Sequence, residues 1–276
     1  MKKAIALLVV LGFIIVLISI STALFNIYDK YSKNSYKYIT QDALYIRNIK
    51  KILKNYLKTK DIYKIFNEYH IKLDNNSLKV TISPLQNRVN INQYLINNKI
   101  NLYIDDMLDN ILNFYQVKDP ILFKNLLLDT IDSDTISRSN HSEIIKEDQN
   151  FQNNQIYNYN HFKKILDYYN FLTNDTNIYK IDWNKYIFFG EKKRYSLDCN
   201  LITIELAQFI GVKFQNDIIS CKNLIQNKNS KAFDLKPFDK NSTYLLDIKI
   251  EYDNNKIDLI YDTKSGSSYI EKHFIY

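Results

Sequence analysis

Between residues 126 and 143 the chain reads LLLDTIDSDTISRSNHSE, an apolar run that turns into a polar loop carrying Asp129, Asp132, Asp134 and Glu143. Carboxylates at this density supply hard oxygen donors, the kind calcium gathers in sets of about six to eight at roughly 2.3–2.6 Å. Asp132, Asp134, Asn140 and Glu143 fall on the first, third, ninth and twelfth positions of an EF-hand-like window. The match then stops. Ile136 stands at the fifth position and Ser137 takes the place of the turn glycine. The loop is therefore no EF-hand. Two readings stand: an irregular calcium site with Asp132, Asp134 and Glu143 as carboxylate ligands and Asp129 as a further ligand or helix-end partner, or a solvated acidic loop.

Other chemistries leave no comparable trace. The four glycines, Gly12, Gly190, Gly211 and Gly266, are too far apart for a dinucleotide-binding fingerprint or a phosphate-binding loop. None of the four histidines, His70, His141, His161 and His273, sits in a paired zinc-ligand motif. The chain reads as a non-enzyme, although a catalytic group dispersed along the sequence would leave no local signature. The net charge is +7, and lysine is interleaved with Asn, Ile and Tyr along the whole length. Such a mixture reads as solvated surface. A direct nucleic-acid footprint would gather the basic residues on one face, and the 23 tyrosines are spread just as evenly.

The elements that carry the loop begin with an apolar segment. After Met1-Lys2-Lys3 the chain is uncharged from Ala4 to Phe25. At the rise of an α-helix that run spans roughly 33 Å, enough for a hydrocarbon core of about 30 Å. The leading lysines place the start in the cytoplasm and the remainder outside. The rival reading is a cleaved secretory signal ending at Ser21-Thr22-Ala23, for which the apolar run is longer than usual. Cys199 and Cys221 suit an exported domain. They form either one disulfide, worth roughly 3 kcal/mol on the chain-entropy model, or two buried thiols.

Downstream, residues 40–70 contain neither Pro nor Gly, and their apolar spacing predicts an amphipathic helix. Residues 78–82 alternate as a strand closed by Pro84, and a second extended piece follows at 89–92. Residues 94–211 read as mainly helical. Helices are expected at about 94–116, from Pro120 behind an Asp119 cap, over 161–172, and over 202–210 with Gly211 as C-terminal cap. From residue 246 strict alternation returns, with turn residues at 253–255 and 264–267, the pattern of a three-stranded antiparallel meander. The early strands have only these late ones to pair with. The expectation is an α+β sheet domain with a large helical insertion between its strands.

Four segments, taken in order, resemble the K-class minor pseudopilins of type II secretion systems. The start AIALLVVL is similar to the family's, in which a prepilin peptidase cuts before the apolar helix; here the cut would fall between Ala4 and Ile5. Ala4 stands where the family usually has Gly. Val9 occupies the fifth mature position, where other pseudopilins carry Glu and the K class does not. SPLQNRVNINQYL is similar to the family's turn and INLN segment, with Asn90 and Asn92 on its Asn positions. The acidic loop resembles the family's LLDWIDxD followed by a later acid, with Thr130 in place of Trp. LDCNLITIELAQFIG resembles a second such segment, with Asp198 and Asn200 on the Asn positions.

The resemblance implies a leader at 1–4, a transmembrane and amphipathic helix at 5–70, an α+β pseudopilin domain at 71–93 and 212–276, and an inserted helical domain at 94–211. It also implies calcium as cofactor and no enzymatic activity. The implied partners are other minor pseudopilins, met through the N-terminal helix and the globular domain, along with the prepilin peptidase and the inner membrane. The implied role is the tip or initiating subunit of a short filament serving protein secretion, with the globular part periplasmic. A DNA-uptake machine and a signal-anchored periplasmic binding protein are the alternatives.

Overall fold

The computed structural model of the chain describes residues 41–55, 62–73, 76–193, 195–238, 242–252 and 255–275. The chain divides into two compact units, Met1–Lys60 and Asp61–Tyr276. In the first, residues 41–55 form a helix, α1. The apolar N-terminal run and the expected cut between Ala4 and Ile5 lie outside the described residues.

The second unit opens with β1 (Asn67–Leu73) and β2 (Asn76–Pro84). Here the structure corrects the sequence reading, which carried the helix to residue 70. Residues 67–73 instead pair antiparallel with β2, placing Tyr69 opposite Val80 and Ile71 opposite Leu78. Their two-residue alternation finds a partner strand, and sheet pairing prevails over helical spacing.

The chain then leaves the sheet through β3 (Val89–Asn90) and a small hairpin, β4 (Leu95–Ile96) and β5 (Lys99–Ile100). Its turn residues Asn97 and Asn98 have φ of 50° and 59°, the left-handed pair that Asn tolerates in two-residue hairpin turns. The first inserted helix therefore starts later than its sequence suggested. It is α2 (Leu102–Phe114), capped by the Asn101 side chain, which accepts from the Tyr103 N–H at 3.2 Å. Next come α3 (Pro120–Ile131), α4 (Tyr159–Thr173), the single turn α5 (Trp183–Tyr186) leading into β6 (Ile187–Phe188), α6 (Ile204–Phe209) and α7 (Lys228–Ala232).

Helices α2, α3 and α4 pack in succession, and α2 also packs on α6. One apolar cluster joins them, from Val89 to Leu235, and includes Met107, Leu127 and Phe162 at zero exposure. The Phe123 and Phe162 rings lie 5.4 and 5.3 Å from the indole of Trp183. The second half of α3, Leu126 to Ile131, is buried without interruption, as expected of a helix end enclosed on all sides. That enclosure fixes the point at which the acidic loop begins.

Three strands complete the sheet: β7 (Leu245–Tyr252), β8 (Asn255–Asp262) and β9 (Ser268–Ile275). The order is β1-β2-β7-β8-β9, with every neighbour antiparallel. Register aligns the buried residues into stripes across the strands. Val80 faces Ile250, which faces Ile257; Ile82 faces Ile248, which faces Leu259. Each such pair contributes about 0.2–1 kcal/mol. The insertion thus departs after β2 and returns before β7, the arrangement expected from pattern.

Candidate functional site

The insertion is held to its base by the two Asn-rich segments. β3 and β6 pair in parallel, with Val89 opposite Ile187 and Asn90 opposite Phe188. The Asn90 amide donates to the Glu191 carbonyl at 2.7 Å and accepts from the Gly190 N–H at 3.0 Å. Gly190 is required by this approach: a Cβ there would sit 2.8 Å from the Phe188 ring and 3.2 Å from the Asn90 amide nitrogen. Asn92, fully buried, donates to the carbonyls of Gly190 and Ile156 at 2.7 and 2.8 Å and accepts from the Ile156 N–H at 2.8 Å.

The second segment closes around a disulfide between Cys199 and Cys221, with Cα atoms 5.2 Å apart. Asp198 is fully buried. It accepts from the Tyr63 hydroxyl at 2.6 Å and from the Asn200 N–H at 3.0 Å, and its own N–H donates to the Gln86 carbonyl at 3.0 Å. Burial pushes its carboxyl up, and the Tyr63 hydrogen bond works against that. Asn200 in turn accepts from the Cys221 N–H at 3.3 Å. Beyond it, Thr203 caps α6 by accepting from the Leu206 N–H at 3.1 Å.

The acidic loop starts where α3 ends, with Asp132 as its C-terminal cap. Asp129 and Asp132 are both buried, at 0% and 4% exposure. A single Arg138 nitrogen, Nη1, donates to both carboxylates. The other Asp129 oxygen accepts from the Arg138 N–H at 3.0 Å and from the Ser142 hydroxyl at 2.5 Å. Glu143 is 1% exposed and accepts from the Asn153 amide at 2.6 Å. Asn153 also donates to the Asp134 carbonyl at 3.2 Å, and the Asn154 N–H reaches the Asp132 carbonyl at 2.6 Å. The loop is thereby stitched to the strand of chain that Asn92 holds at Ile156.

The four sequence-selected acids do not share one environment. Asp134 is exposed, and its carboxylate caps its own turn by accepting from the Ile136 N–H at 2.8 Å. Asn140 is exposed as well. Burial raises the Asp132 carboxyl, with Arg138 opposing and Asp134 and Asp129 adding to the rise. Burial also raises Glu143, with the Asn153 hydrogen bond opposing and the charges of Asp129 and Asp132 adding. Among the described residues, the group of three metal-type ligand atoms within 4.8 Å of one another is Asp198, Cys199 and Cys221. There the two sulfurs are bonded to each other, which leaves one carboxylate.

Donor chemistry nevertheless suits a hard cation at the acidic loop. Asp132 Oδ1, Glu143 Oε2, Ser139 Oγ and Asn153 Oδ1 are buried and meet no hydrogen-bond partner among the described residues. Buried carboxylate oxygens without a donor or cation are costly. Carboxylate, amide and hydroxyl oxygens are the donor types that calcium coordinates. Sequence spacing found Asp132 and Glu143 and missed Arg138, Ser142 and Asn153. Arg138 carried a signal, as a lone cation inside a run of acids; Asn153 carried none.

No protein-family model and no curated protein matches the chain. Among solved structures, it is similar to a chain of "The Crystal Structure of the GspK-GspI-GspJ complex from enterotoxigenic Escherichia coli Type 2 Secretion System". The TM-score is 0.54 at 11% identity, covering 89% of this chain and 96% of that one. The chain thus has an α+β, pseudopilin-like fold, with the helical insertion set between the second and third strands of its sheet.

Proposed function

We propose that this chain is a non-enzymatic minor pseudopilin that starts or caps the tip of a pseudopilus serving protein secretion across the outer membrane. The observation that carries the reading is the fold likeness over 89% of the chain. The order of four family-like segments adds to it. The solved neighbour is a complex of GspK with GspI and GspJ, so the partners proposed here are other minor pseudopilins.

In this account the Ala4–Ile5 bond is cut by a prepilin peptidase. The apolar run from Ile5 then anchors the chain in the inner membrane with its globular part periplasmic, and packs against the same helix of neighbouring subunits. In this role the bulky insertion blocks addition of a further subunit. A subunit at that position has no need of the fifth-position Glu that Val9 replaces. A divalent cation, calcium, would be held by Asp132 and Glu143 with Ser139 and Asn153, and would supply the positive charge that these buried oxygens lack. Asp134 lies on the exposed side of the same loop.

Co-purification tests the reading. Cross-linked membranes from the native cells, pulled down through this chain, are expected to yield small proteins with the same type of basic leader and apolar start. Recovery of the chain alone, or with a soluble ligand and no such proteins, would contradict it.

A further inference from the structure

We propose that Arg138 is an internal, displaceable cation: its guanidinium and a divalent ion compete for the Asp132 carboxylate, so that Arg138 sets how tightly the loop binds metal. The inference rests on the cation reading given above and concerns how this chain tunes that site.

The geometry supports exchange. Asp129 and Asp132 are buried, whereas the Arg138 side chain is 29% exposed. The Arg138 side chain thus reaches solvent while the carboxylates do not, and can leave without opening the apolar core. One nitrogen serves both carboxylates, so the paired fork contact that makes Arg–carboxylate bridges strong is absent. The loop backbone is held separately. Arg138 N–H and Ser142 Oγ bind the far oxygen of Asp129 at 3.0 and 2.5 Å, and the Ser139 N–H donates to Ser142 Oγ at 2.9 Å. Release of the guanidinium therefore leaves the chain path in place.

Charge supplies the reason to exchange. Three buried carboxylates, Asp129, Asp132 and Glu143, act on one another, and a single guanidinium balances one charge. Two lysines act on the cluster only from a distance, Lys146 on Glu143 and Lys192 on Asp132; their amines donate to Ser137 Oγ at 2.8 Å and to Asn154 Oδ1 at 3.2 Å. A divalent ion balances one more charge and gives Asp132 Oδ1 and Glu143 Oε2 the partner they lack. Such a loop stays folded without metal, held by Arg138, and takes up metal only where the ion is abundant enough to displace the side chain.

Calcium is titrated calorimetrically into the full chain in detergent, freed of metal, as wild type, Arg138→Gln and Arg138→Lys. The expected result is at least tenfold tighter binding by Arg138→Gln, with Arg138→Lys between the two. In chelator Arg138→Gln should melt below wild type, and saturating calcium should remove that difference. Equal affinity in all three proteins would overturn the exchange and leave the cation reading standing. A variant that melts lower by the same margin in chelator and in calcium would likewise reduce Arg138 to a structural ion pair. Absence of binding in every protein would overturn the cation reading and this inference together.

Discussion

Asn92 grips Ile156 from both sides: its amide nitrogen donates to the Ile156 carbonyl and its oxygen accepts from the Ile156 N–H, each at 2.8 Å. The pair spans 64 residues of sequence and is fully buried. With the further bond to Gly190, Asn92 ties the base of the insertion to the return of the acidic loop. Asn92→Ala strands three backbone groups in the interior. At about 1 kcal/mol for each lost bond, it should destabilise the protein by about 3 kcal/mol, read from the midpoint of denaturant unfolding. Asn92→Asp should cost at least as much, because the carboxylate cannot donate.

The disulfide lends itself to a direct test. Cys199 and Cys221 are 22 residues apart, and a loop of that size is worth roughly 3 kcal/mol on the chain-entropy model. Protein exported by its own cells should resist alkylation of both cysteines until it is reduced, as read by mass spectrometry. Cys221→Ser should lower the melting temperature. It should also loosen the chain around Asn200, whose side chain accepts from the Cys221 backbone.

His161 gives the protein a pH dependence of known sign. It lies beside the Phe151 and Tyr157 rings, with centroids 4.6 and 5.5 Å away. Burial first, and then the charge of Lys164, push its imidazole down to about 4, against a contrary contribution from the Gln152 backbone. An unfolded chain protonates the same group near pH 6.5. Between those values the unfolded state holds the extra proton, so stability falls as pH drops from about 6.5 towards about 4. His161→Phe, which keeps a ring in the stack, should flatten the thermal stability profile over that window relative to wild type. Parallel profiles would mean that His161 does not titrate with folding.

The sequence showed the sheet most clearly where alternation was strict. Leu246 to Tyr252 and Leu78 to Ile82 pair as their patterns implied, because one buried face per strand leaves one acceptable register. The pattern failed at the start of β1, where Asn67 to His70 read as the end of the preceding helix and pairing with β2 decides the outcome. It failed again at Asn97-Asn98, whose left-handed backbone turns a hairpin inside what read as helix. In the acidic loop, spacing located the carboxylates because they are close in sequence. It could not reveal that Asp129 and Asp132 share the guanidinium of Arg138, or that Asn153, ten residues further on, holds Glu143. Those contacts depend on how the loop closes, which α3 and the Asn92 anchor determine.

The proposed filament subunit depends on its apolar N-terminal run being kept after processing. Edman or mass-spectrometric sequencing of the protein from its own membranes tests this most directly. The account predicts a mature chain starting at Ile5, with Met1 to Ala4 removed and the apolar run to Phe25 retained. A mature chain starting at Leu24 would contradict it, because ordinary signal cleavage would remove the apolar run on which the proposed assembly depends.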